Sequence, residues 1–185
     1  MATKTKLTYE DYETFPDDGN RYEIIDGEVS VTAAPSGPHQ RAVTRLARYL
    51  DAHAEEKDLG EVYASPYAVI FSPSDVFEPD VVFISRARSV MTDTRGVMRG
   101  TPDLCIEVAS ESTRRHDRTV KFERYAHFKL PEYWIVDPDA QTVAVFVLEN
   151  GAYTLLPIVS GDDRIISPTL PDLELRVSIL FKPRW

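Results

Sequence analysis

The sequence predicts an α/β protein: a mixed β-sheet flanked by helices, with β-hairpins. A strand, a helix and a second strand follow one another between residues 103 and 137, and this order implies a right-handed crossover between parallel strands. Asp26-Gly27 and Asn150-Gly151 each separate two β-rich runs. Such pairs are strong hairpin signals because their residues tolerate a positive φ. The chain is therefore expected to combine one central parallel unit with antiparallel hairpins.

The elements of the first half follow from turn signals and apolar spacing. They are a short helix over 8–14, hairpin strands at 21–25 and 28–33, a helix over 39–57, a strand or bent hairpin over 62–71, and a strand over 81–84. Thr8 and Asp11 predict a cap for the first helix. In the long helix, apolar residues recur every three to four positions, and Gly60 follows its end.

The second half contains the parallel unit, a hairpin and a short terminal region. Its segments are a loop or weak helix over 86–100, a strand over 103–109, a helix over 114–128, a strand over 132–137, hairpin strands over 143–148 and 153–159, and short strands around 173–177 and 179–181. The helix over 114–128 directly follows a strand of the parallel unit. Its first turns are expected over the carboxyl end of that strand, where sites in α/β sheets tend to form.

The size of the chain predicts a single domain over residues 1–185, with a mass of 21.0 kDa. No apolar run approaches the roughly 18–20 residues of a membrane span, and the N-terminus lacks the apolar stretch of a signal peptide. The single cysteine, Cys105, has no partner for an internal disulfide, which favours a reducing compartment. A cytoplasmic location without membrane association is expected.

The charge of the chain gives a mixed indication about nucleic acids. A net charge of −9 and a pI near 4.9 count against a dedicated non-specific nucleic-acid binder, because such proteins are usually basic. The charge is uneven, however, since residues 10–28 are acidic and residues 112–129 form a basic stripe. This stripe and the arginines of 86–99 are expected to contact phosphates; a solvated helix face is the alternative.

Two carboxylates interrupt the apolar strands. Asp80 opens the strand over 81–84, and Glu107 lies in the middle of the strand over 103–109 between two small residues of the same face. A buried lone carboxylate is costly unless a cation, a metal or hydrogen bonds compensate it. Two acids on neighbouring strands can share Mg²⁺. The alternatives are a strand-start cap for Asp80 and a structural ion pair for Glu107.

A lysine in the crossover helix adds to this pattern. Asp117, Lys121 and Tyr125 are spaced by four and share one helix face. A lysine at the end of a strand can orient an attacking water and offset the charge of a phosphate. Arg118 and Arg124 are expected to rim the same cleft. The alternative is a solvent-exposed Asp117–Lys121 pair of little energetic weight.

Other classes of enzyme find no support in the sequence. There is no Gly-x-Ser-x-Gly elbow, which makes a serine hydrolase a poor fit. The four histidines show no zinc-like spacing, and one cysteine cannot complete a zinc cluster. A glycine-rich phosphate loop is also absent from the sequence.

The residues that carry these hypotheses resemble the Uma-type family of predicted endonucleases, within the PD-(D/E)XK or restriction-endonuclease-like superfamily. The likeness extends from about residue 8 to about residue 175. Its segments are Tyr22-Glu23-Ile24-Ile25-Asp26-Gly27-Glu28, His39-Gln40, Pro79-Asp80, Pro102-Asp103-Leu104-Cys105-Ile106-Glu107-Val108-Ala109-Ser110, Asp117 with Lys121 and Tyr125, and Glu132-Tyr133-Trp134-Ile135-Val136-Asp137-Pro138. The last run and the spacing around Lys121 are its most specific parts.

The resemblance implies a metal site and a set of catalytic residues. Asp80 and Glu107 would be the metal ligands, together with the backbone carbonyl of Val108, and Mg²⁺ or Mn²⁺ would be the metal. The superfamily's common motif places a lysine two residues after the acid, where this chain has Ala109. The family instead places its lysine on the following helix, and Lys121 fits that position.

Two further polar residues match family positions with less defined roles. These are Glu23, which is expected to contact the metal through water, and His39. The intact set of Asp80, Glu107 and Lys121 favours catalysis over mere binding.

The expected function is a Mg²⁺-dependent endonuclease that hydrolyses phosphodiester bonds of DNA. By family analogy it leaves 5′-phosphate and 3′-hydroxyl ends, and it cuts duplexes as a homodimer. The alternative is a non-catalytic nuclease-fold module for binding or assembly, which the net charge of −9 favours.

Overall fold

Two β-sheets form the framework of the protein, in a computed structural model that describes residues 5–93, 97–110 and 113–182. The strands in chain order are β1 Arg21–Ile25, β2 Glu28–Thr32, β3 Gly60–Ala64, β4 Val69–Ser72, β5 Asp75–Phe77, β6 Val81–Ser85, β7 Met98–Arg99, β8 Leu104–Val108, β9 Glu132–Asp137, β10 Thr142–Glu149, β11 Ala152–Leu155 and β12 Val159–Ser160. The larger sheet has the order β11-β10-β9-β8-β6-β3, with β12 paired to β10, and the smaller sheet has the order β2-β1-β5-β4-β7.

The helices are few, and only one of them is long. They are α1 Tyr9–Tyr12, α2 Gly37–Glu56, α3 Arg114–His116, α4 Phe122–His127 and α5 Val177–Phe181, with a 3₁₀ helix over Arg86–Met91 and a π-helical turn over Asp117–Lys121. Among the described residues, none of these helices is both long enough and apolar enough to cross a membrane. The mixed α/β class predicted from the sequence is therefore confirmed.

The parallel unit and both predicted hairpins are present. β8 and β9 pair in parallel, and α3, the π turn and α4 connect them. β1 and β2 form an antiparallel hairpin whose turn has a positive φ at both Asp26 and Gly27. The hairpin of β10 and β11 turns in the same way at Asn150 and Gly151. The turn residues thus act for the physical reason that predicted them.

Several segments differ from the sequence-based prediction. The strand predicted over 153–159 is divided into β11 and β12, which both pair with β10. The run over 62–71 is divided between the two sheets, because β3 pairs with β6 whereas β4 pairs with β5 and β7. The predicted strands around 173–177 and 179–181 are wrong. Their apolar side chains are buried against α2, and the chain forms the short helix α5 rather than pairing in a sheet. Tertiary packing, not strand pairing, explains that apolar pattern.

The arginine-rich segment and the crossover helix also have more detail than predicted. Residues 86–100 form the 3₁₀ helix and β7, and residues 94–96 lie outside the described part. The helix predicted over 114–128 contains a π turn between α3 and α4. A π turn adds a residue to the helical repeat and is frequent at functional sites. Both Asp117 and Lys121 lie within it.

Two hydrophobic cores cover the two faces of the larger sheet. Leu104, Ile106 and Val108 of β8 pack on the side of α2 and α5. Cys105 and Ala109 face the opposite way, into an aromatic-rich core that also includes residues of the smaller sheet and α4. The alternation predicted for this strand is confirmed. It directs Glu107 into the layer between the two sheets.

The burial of Ile106 in β8 and the exposure of Ile166 predict different losses of stability when each side chain is truncated. Ile106→Ala removes a fully buried side chain and is expected to lower the free energy of unfolding by about 3–4 kcal/mol, because a cavity remains in the core. Ile166→Ala, at a side chain 60% exposed, should change it by less than about 0.5 kcal/mol. Urea unfolding of the two variants measures the difference. Equal losses would contradict the assignment of the core.

Candidate active site

Two carboxylates face each other across neighbouring strands of the larger sheet. The antiparallel register pairs Val81 with Ile106, so the next position places Asp80 across from Glu107. Because side chains alternate along a strand, both carboxylates point into the layer between the sheets. Both residues are only 1% exposed. The structure therefore brings together the two acids that the sequence singled out as metal ligands.

Asp80 is fixed by three groups from three different elements. Its Oδ2 accepts a hydrogen bond from the backbone N–H of Val108 at 2.7 Å and lies 3.1 Å from Nε2 of His39. Its Oδ1 lies 2.6 Å from Nη1 of Arg21. Burial alone would raise the pKa of Asp80, but the hydrogen bond from His39 and the charge of Arg21 outweigh it and hold the pKa at about 2. Asp80 is therefore ionised at neutral pH.

Glu107 has a different environment. Its Oε1 accepts hydrogen bonds from Nζ of Lys121 at 2.8 Å and from the hydroxyl of Tyr125 at 2.9 Å. Burial raises the pKa of Glu107 to about 8, against the charge of Lys121, and the nearby charge of Asp80 adds to the increase. The second oxygen, Oε2, makes no hydrogen bond to any residue that the structure describes.

Lys121 connects the two sheets. Besides Glu107 of β8, its Nζ lies 2.9 Å from Oε1 of Glu23, which belongs to β1. The same oxygen of Glu23 accepts a hydrogen bond from the backbone N–H of Glu78. Burial alone would lower the pKa of Lys121, but the charges of Glu107 and Glu23 raise it. The lysine is therefore a buried, charged bridge between two carboxylates.

Asp117 lies beside this bridge and is buried as well, with 2% of its surface exposed. The alternative of a solvent-exposed Asp117–Lys121 pair is therefore wrong, because the π turn directs both side chains inward. Burial raises the pKa of Asp117, whereas the charge of Lys121 opposes the increase. Its Oδ2 has no hydrogen-bond partner among the described residues.

His39 reaches the site from the first turn of α2. Ser36 caps this helix, and its hydroxyl accepts a hydrogen bond from the backbone N–H of His39. Nε2 of the ring faces Asp80, while Nδ1 is buried without a partner among the described residues. All five side chains predicted from the sequence (Glu23, His39, Asp80, Glu107 and Lys121) thus lie in one cluster.

Arg21 belongs to the cluster and was missed by the sequence analysis. It lies two residues before Glu23 in β1, so the two charged side chains share the face of the strand that is turned toward the larger sheet. This alternation of charged residues along β1 was the signal in the sequence that could have placed Arg21 beside Glu23. It does not by itself identify the partner of Arg21, since Asp80 is brought to it only by the packing of the two sheets.

The donor set fits a magnesium ion. Mg²⁺ is typically held by one or two carboxylates and keeps several water ligands, which matches Asp80 and Glu107 on one face. The backbone N–H of Val108 points at Asp80, and in a regular strand the carbonyl of the same residue points to the same edge. Among the described residues, no group of three or more His, Cys, Asp or Glu side chains suited to a metal is found. The pair of carboxylates is thus the candidate metal site.

The cluster lies between two cavities. The larger has a volume of about 770 Å³, and Arg21, His39, Asp80, Ser110 and Thr113 are among the residues that line it. The smaller has a volume of about 370 Å³ and is lined by residues that include Glu23, His116, Asp117 and Lys121. A ligand in the larger cavity therefore meets Asp80 and Arg21.

Comparison with known proteins identifies the family and the fold. The chain matches the Uma2 family, described as "Putative restriction endonuclease", over residues 9–178. The chain belongs to the Uma2 family. Among solved structures, a "putative nuclease belonging to DUF820" from Anabaena variabilis is similar, with a TM-score of 0.77, 18% identity, and coverage of 95% of this chain and 97% of that chain. The likeness shows a restriction-endonuclease-like fold, as the sequence predicts. No curated protein gives a significant match.

The basic segments of this Uma2 protein are largely paired with acids. The ion pairs are Arg86–Asp58, Arg88–Asp103, Arg99–Asp93, Arg114–Asp137, Arg114–Asp139 and Arg124–Asp75. Arg118 approaches Asp137 at 3.9 Å. Neither Arg118 nor Arg124 lines the two cavities of the site, so the expectation that they rim the cleft is wrong. Acids on neighbouring elements explain why these arginines do not reach the cleft, because Arg118 lies near Asp137 and Arg124 pairs with Asp75.

The burial of Lys121 predicts a pH-dependent loss of stability when it is replaced. Lys121→Met leaves Glu107 and Glu23 buried without their cation, and it should lower the free energy of unfolding by about 3–5 kcal/mol at a pH above the pKa of Glu107. Without the ammonium the pKa of Glu107 in the folded state rises further. The loss should therefore shrink as the pH falls and Glu107 takes up a proton.

Denaturant unfolding at about pH 9 and about pH 6, on either side of the pKa of about 8 of Glu107, measures this effect. Lys129→Met is the matched control, because Lys129 is exposed, and it should change stability by less than about 0.5 kcal/mol at either pH. A loss for Lys121→Met that does not depend on pH would contradict the ion-pair explanation.

Proposed function

We propose that this Uma2 protein is a Mg²⁺-dependent endonuclease that hydrolyses phosphodiester bonds of DNA. The observation that carries the proposal is the position of Asp80 and Glu107, which lie opposite each other on one face with the ammonium of Lys121 at 2.8 Å from Glu107. The family and the fold support a nuclease. The dependence on Mg²⁺ and the choice of DNA as substrate are what we propose beyond this.

Asp80, Glu107 and the carbonyl of Val108 would hold the ion. When bound, a divalent ion polarises the scissile phosphate and lowers the pKa of a water ligand. Asp80 is suited to this role because it is ionised at neutral pH, and the N–H of Val108 fixes its orientation. Glu107 would keep Oε2 for the ion, because its contacts with Lys121 and Tyr125 both engage Oε1.

Lys121 would orient the attacking water and stabilise the negative charge that develops on the phosphate. Glu23 and Glu107 hold its ammonium from two sides, so the side chain is positioned before substrate binds. Preorganised charge of this kind requires no rearrangement at the moment of reaction. Glu23 would thus act by positioning Lys121, in addition to the water-mediated metal contact expected from the sequence.

The larger cavity is the proposed entrance for the phosphodiester, because Asp80 and Arg21 line it. One site per chain can cut one strand at a time. Cutting of both strands of a duplex would therefore need two copies, and we propose a homodimer for that reaction.

Asp80→Asn and Glu107→Gln should each remove cleavage of supercoiled plasmid in Mg²⁺ or Mn²⁺, with a decrease in rate of about 10²-fold or more, because a lost metal site forfeits several kcal/mol of transition-state stabilisation. Both variants should also lose the rise in melting temperature that Mg²⁺ gives the unaltered protein. Asp172→Asn is the control, since this carboxylate is exposed and lines neither cavity of the site. Gel analysis of nicking and thermal unfolding measure the two effects.

A protein that binds Mg²⁺ through Asp80 and Glu107 but cleaves neither duplex, single-stranded DNA nor RNA would contradict catalysis. That result would support the non-catalytic binding or assembly module. Cleavage of RNA alone would keep the mechanism and correct the substrate.

The charges of the cleft predict a weak salt dependence of DNA binding. Arg21 is the one permanently charged basic side chain among the described residues that line the larger cavity, so a plot of log K against log salt concentration in the presence of Ca²⁺ should have a slope of about −1. Fluorescence anisotropy with a labelled duplex in Ca²⁺ measures it. A much steeper slope would show that the paired arginines also bind phosphates, and an affinity independent of salt would indicate another class of ligand.

A further inference from the structure

We propose that Arg21 is a phosphate-binding residue that moves from Asp80 to the nucleic-acid backbone when a divalent cation binds Asp80. The inference deepens the proposed function and rests on its metal ligands. Its starting point is the contact between Nη1 of Arg21 and Oδ1 of Asp80, at 2.6 Å.

Arg21 and a cation would compete for the same carboxylate oxygen. Oδ2 of Asp80 is occupied by the backbone N–H of Val108, which the strand fixes in place, and by His39. Oδ1 has Arg21 as its only hydrogen-bond partner among the described residues. Since two positive charges within a few ångströms repel each other strongly in a buried site, a cation at Oδ1 would displace the guanidinium.

Arg21 has the freedom to leave, whereas Lys121 does not. Arg21 is the first residue of β1, and its side chain is 17% exposed toward the larger cavity. Lys121 is 2% exposed and is held by Glu23 and Glu107 on two sides. Of the two permanent cations in the cluster, only Arg21 is therefore placed to turn toward a ligand in the cleft.

The guanidinium offers the right donors for a phosphodiester. It carries five N–H donors in a planar fork that matches the oxygens of a phosphate. The contact from Nη1 to Asp80 is the only side-chain hydrogen bond of Arg21 to the described residues. The remaining donors of the guanidinium make no hydrogen bond to those residues, and Arg21 lines the cavity.

The charge of the cleft couples the binding of the cation to the binding of the nucleic acid. Its lining includes four acids (Asp17, Glu78, Asp80 and Asp139) and only two basic side chains, Arg21 and His39. Without metal, Asp80 keeps Arg21 and the acids repel a phosphate. A cation on Asp80 would neutralise one acid and release one arginine, so metal and nucleic acid should bind with positive cooperativity.

A double-mutant cycle in the absence of metal tests the inference. The affinity for a fluorescein-labelled 20-base-pair duplex is measured by anisotropy in EDTA for the unaltered protein, Asp80→Asn, Arg21→Met and the double variant. Asp80→Asn mimics neutralisation by a cation and should tighten binding about tenfold, the order expected for one hydrogen bond to a charged group. Arg21→Met should abolish this gain in the Asp80→Asn protein, yet change the affinity less than about twofold when Asp80 is present.

A second measurement follows the cation directly. Calorimetric titration with Ca²⁺, without nucleic acid, should show several-fold tighter binding to Arg21→Met, because a competing charge has been removed. Arg21→Lys keeps the charge but not the fork, so it should bind Ca²⁺ like the unaltered protein and lose most of the tenfold gain in the Asp80→Asn background. If Arg21→Met does not fold, Arg21→Lys completes the cycle.

Arg164→Met is the matched control, because Arg164 pairs with the exposed Glu174 and does not line the cavity. It should leave both affinities unchanged. Equal effects of Arg21→Met in the two backgrounds, weaker Ca²⁺ binding, or no duplex binding by any variant would overturn the inference. If the double-mutant cycle gives the expected affinities but the protein cleaves no nucleic acid, only the proposed catalytic function is overturned, because neither assay depends on turnover.

Discussion

The buried ammonium of Lys121 is the interaction on which the rest of the site depends. It lies between Glu107 of the larger sheet and Glu23 of the smaller sheet, and it comes from a third element, the π turn of the crossover. Two ionised carboxylates at this depth would be costly without a cation, since burial disfavours their charged form. The ammonium of Lys121 therefore joins the two sheets and holds the carboxylates of Glu107 and Glu23 at the candidate active site.

The charges of the cluster do not balance within the protein. It contains four buried carboxylates, Glu23, Asp80, Glu107 and Asp117, against two permanent cations, Arg21 and Lys121. Burial raises the pKa values of Glu107 and Asp117 although Lys121 is close, and the charges of the neighbouring carboxylates add to the increase. A divalent cation would supply the missing charge. The charge balance of the cluster thus leads to the same hypothesis as the geometry.

Much of this arrangement could be predicted from the sequence, because local rules and tertiary packing agree. Asp-Gly and Asn-Gly turns fixed both hairpins, and alternation along β8 correctly directed Glu107 away from the core on the α2 side. The C-terminal region shows where such rules fail. There an apolar pattern suited to strands is buried against α2, and no local signal distinguishes that packing from pairing in a sheet.

The partners of charged residues were the hardest part to predict. The basic stripe was open to two interpretations from composition, and only the fold shows that Asp75 and Asp137 lie against its arginines. Arg21 is a similar case, since its partner Asp80 is 59 residues away in the chain. Long-range ion pairs depend on how two sheets pack, and a single sequence carries no periodic signal for that packing.

The position that holds a lysine in the superfamily's common motif is Ala109 in this chain. Ala109 is 3% exposed, belongs to the aromatic-rich core between the sheets and lines the larger cavity, and its short side chain brings no charge to Glu107. The π turn supplies this charge, because it places the ammonium of Lys121 at 2.8 Å from Glu107. Tyr125 then has two functions, because its ring fills the core while its hydroxyl donates to Glu107. The position of the lysine in the sequence can change as long as its ammonium reaches the same carboxylate, and in this fold the crossover helix is the element that allows it.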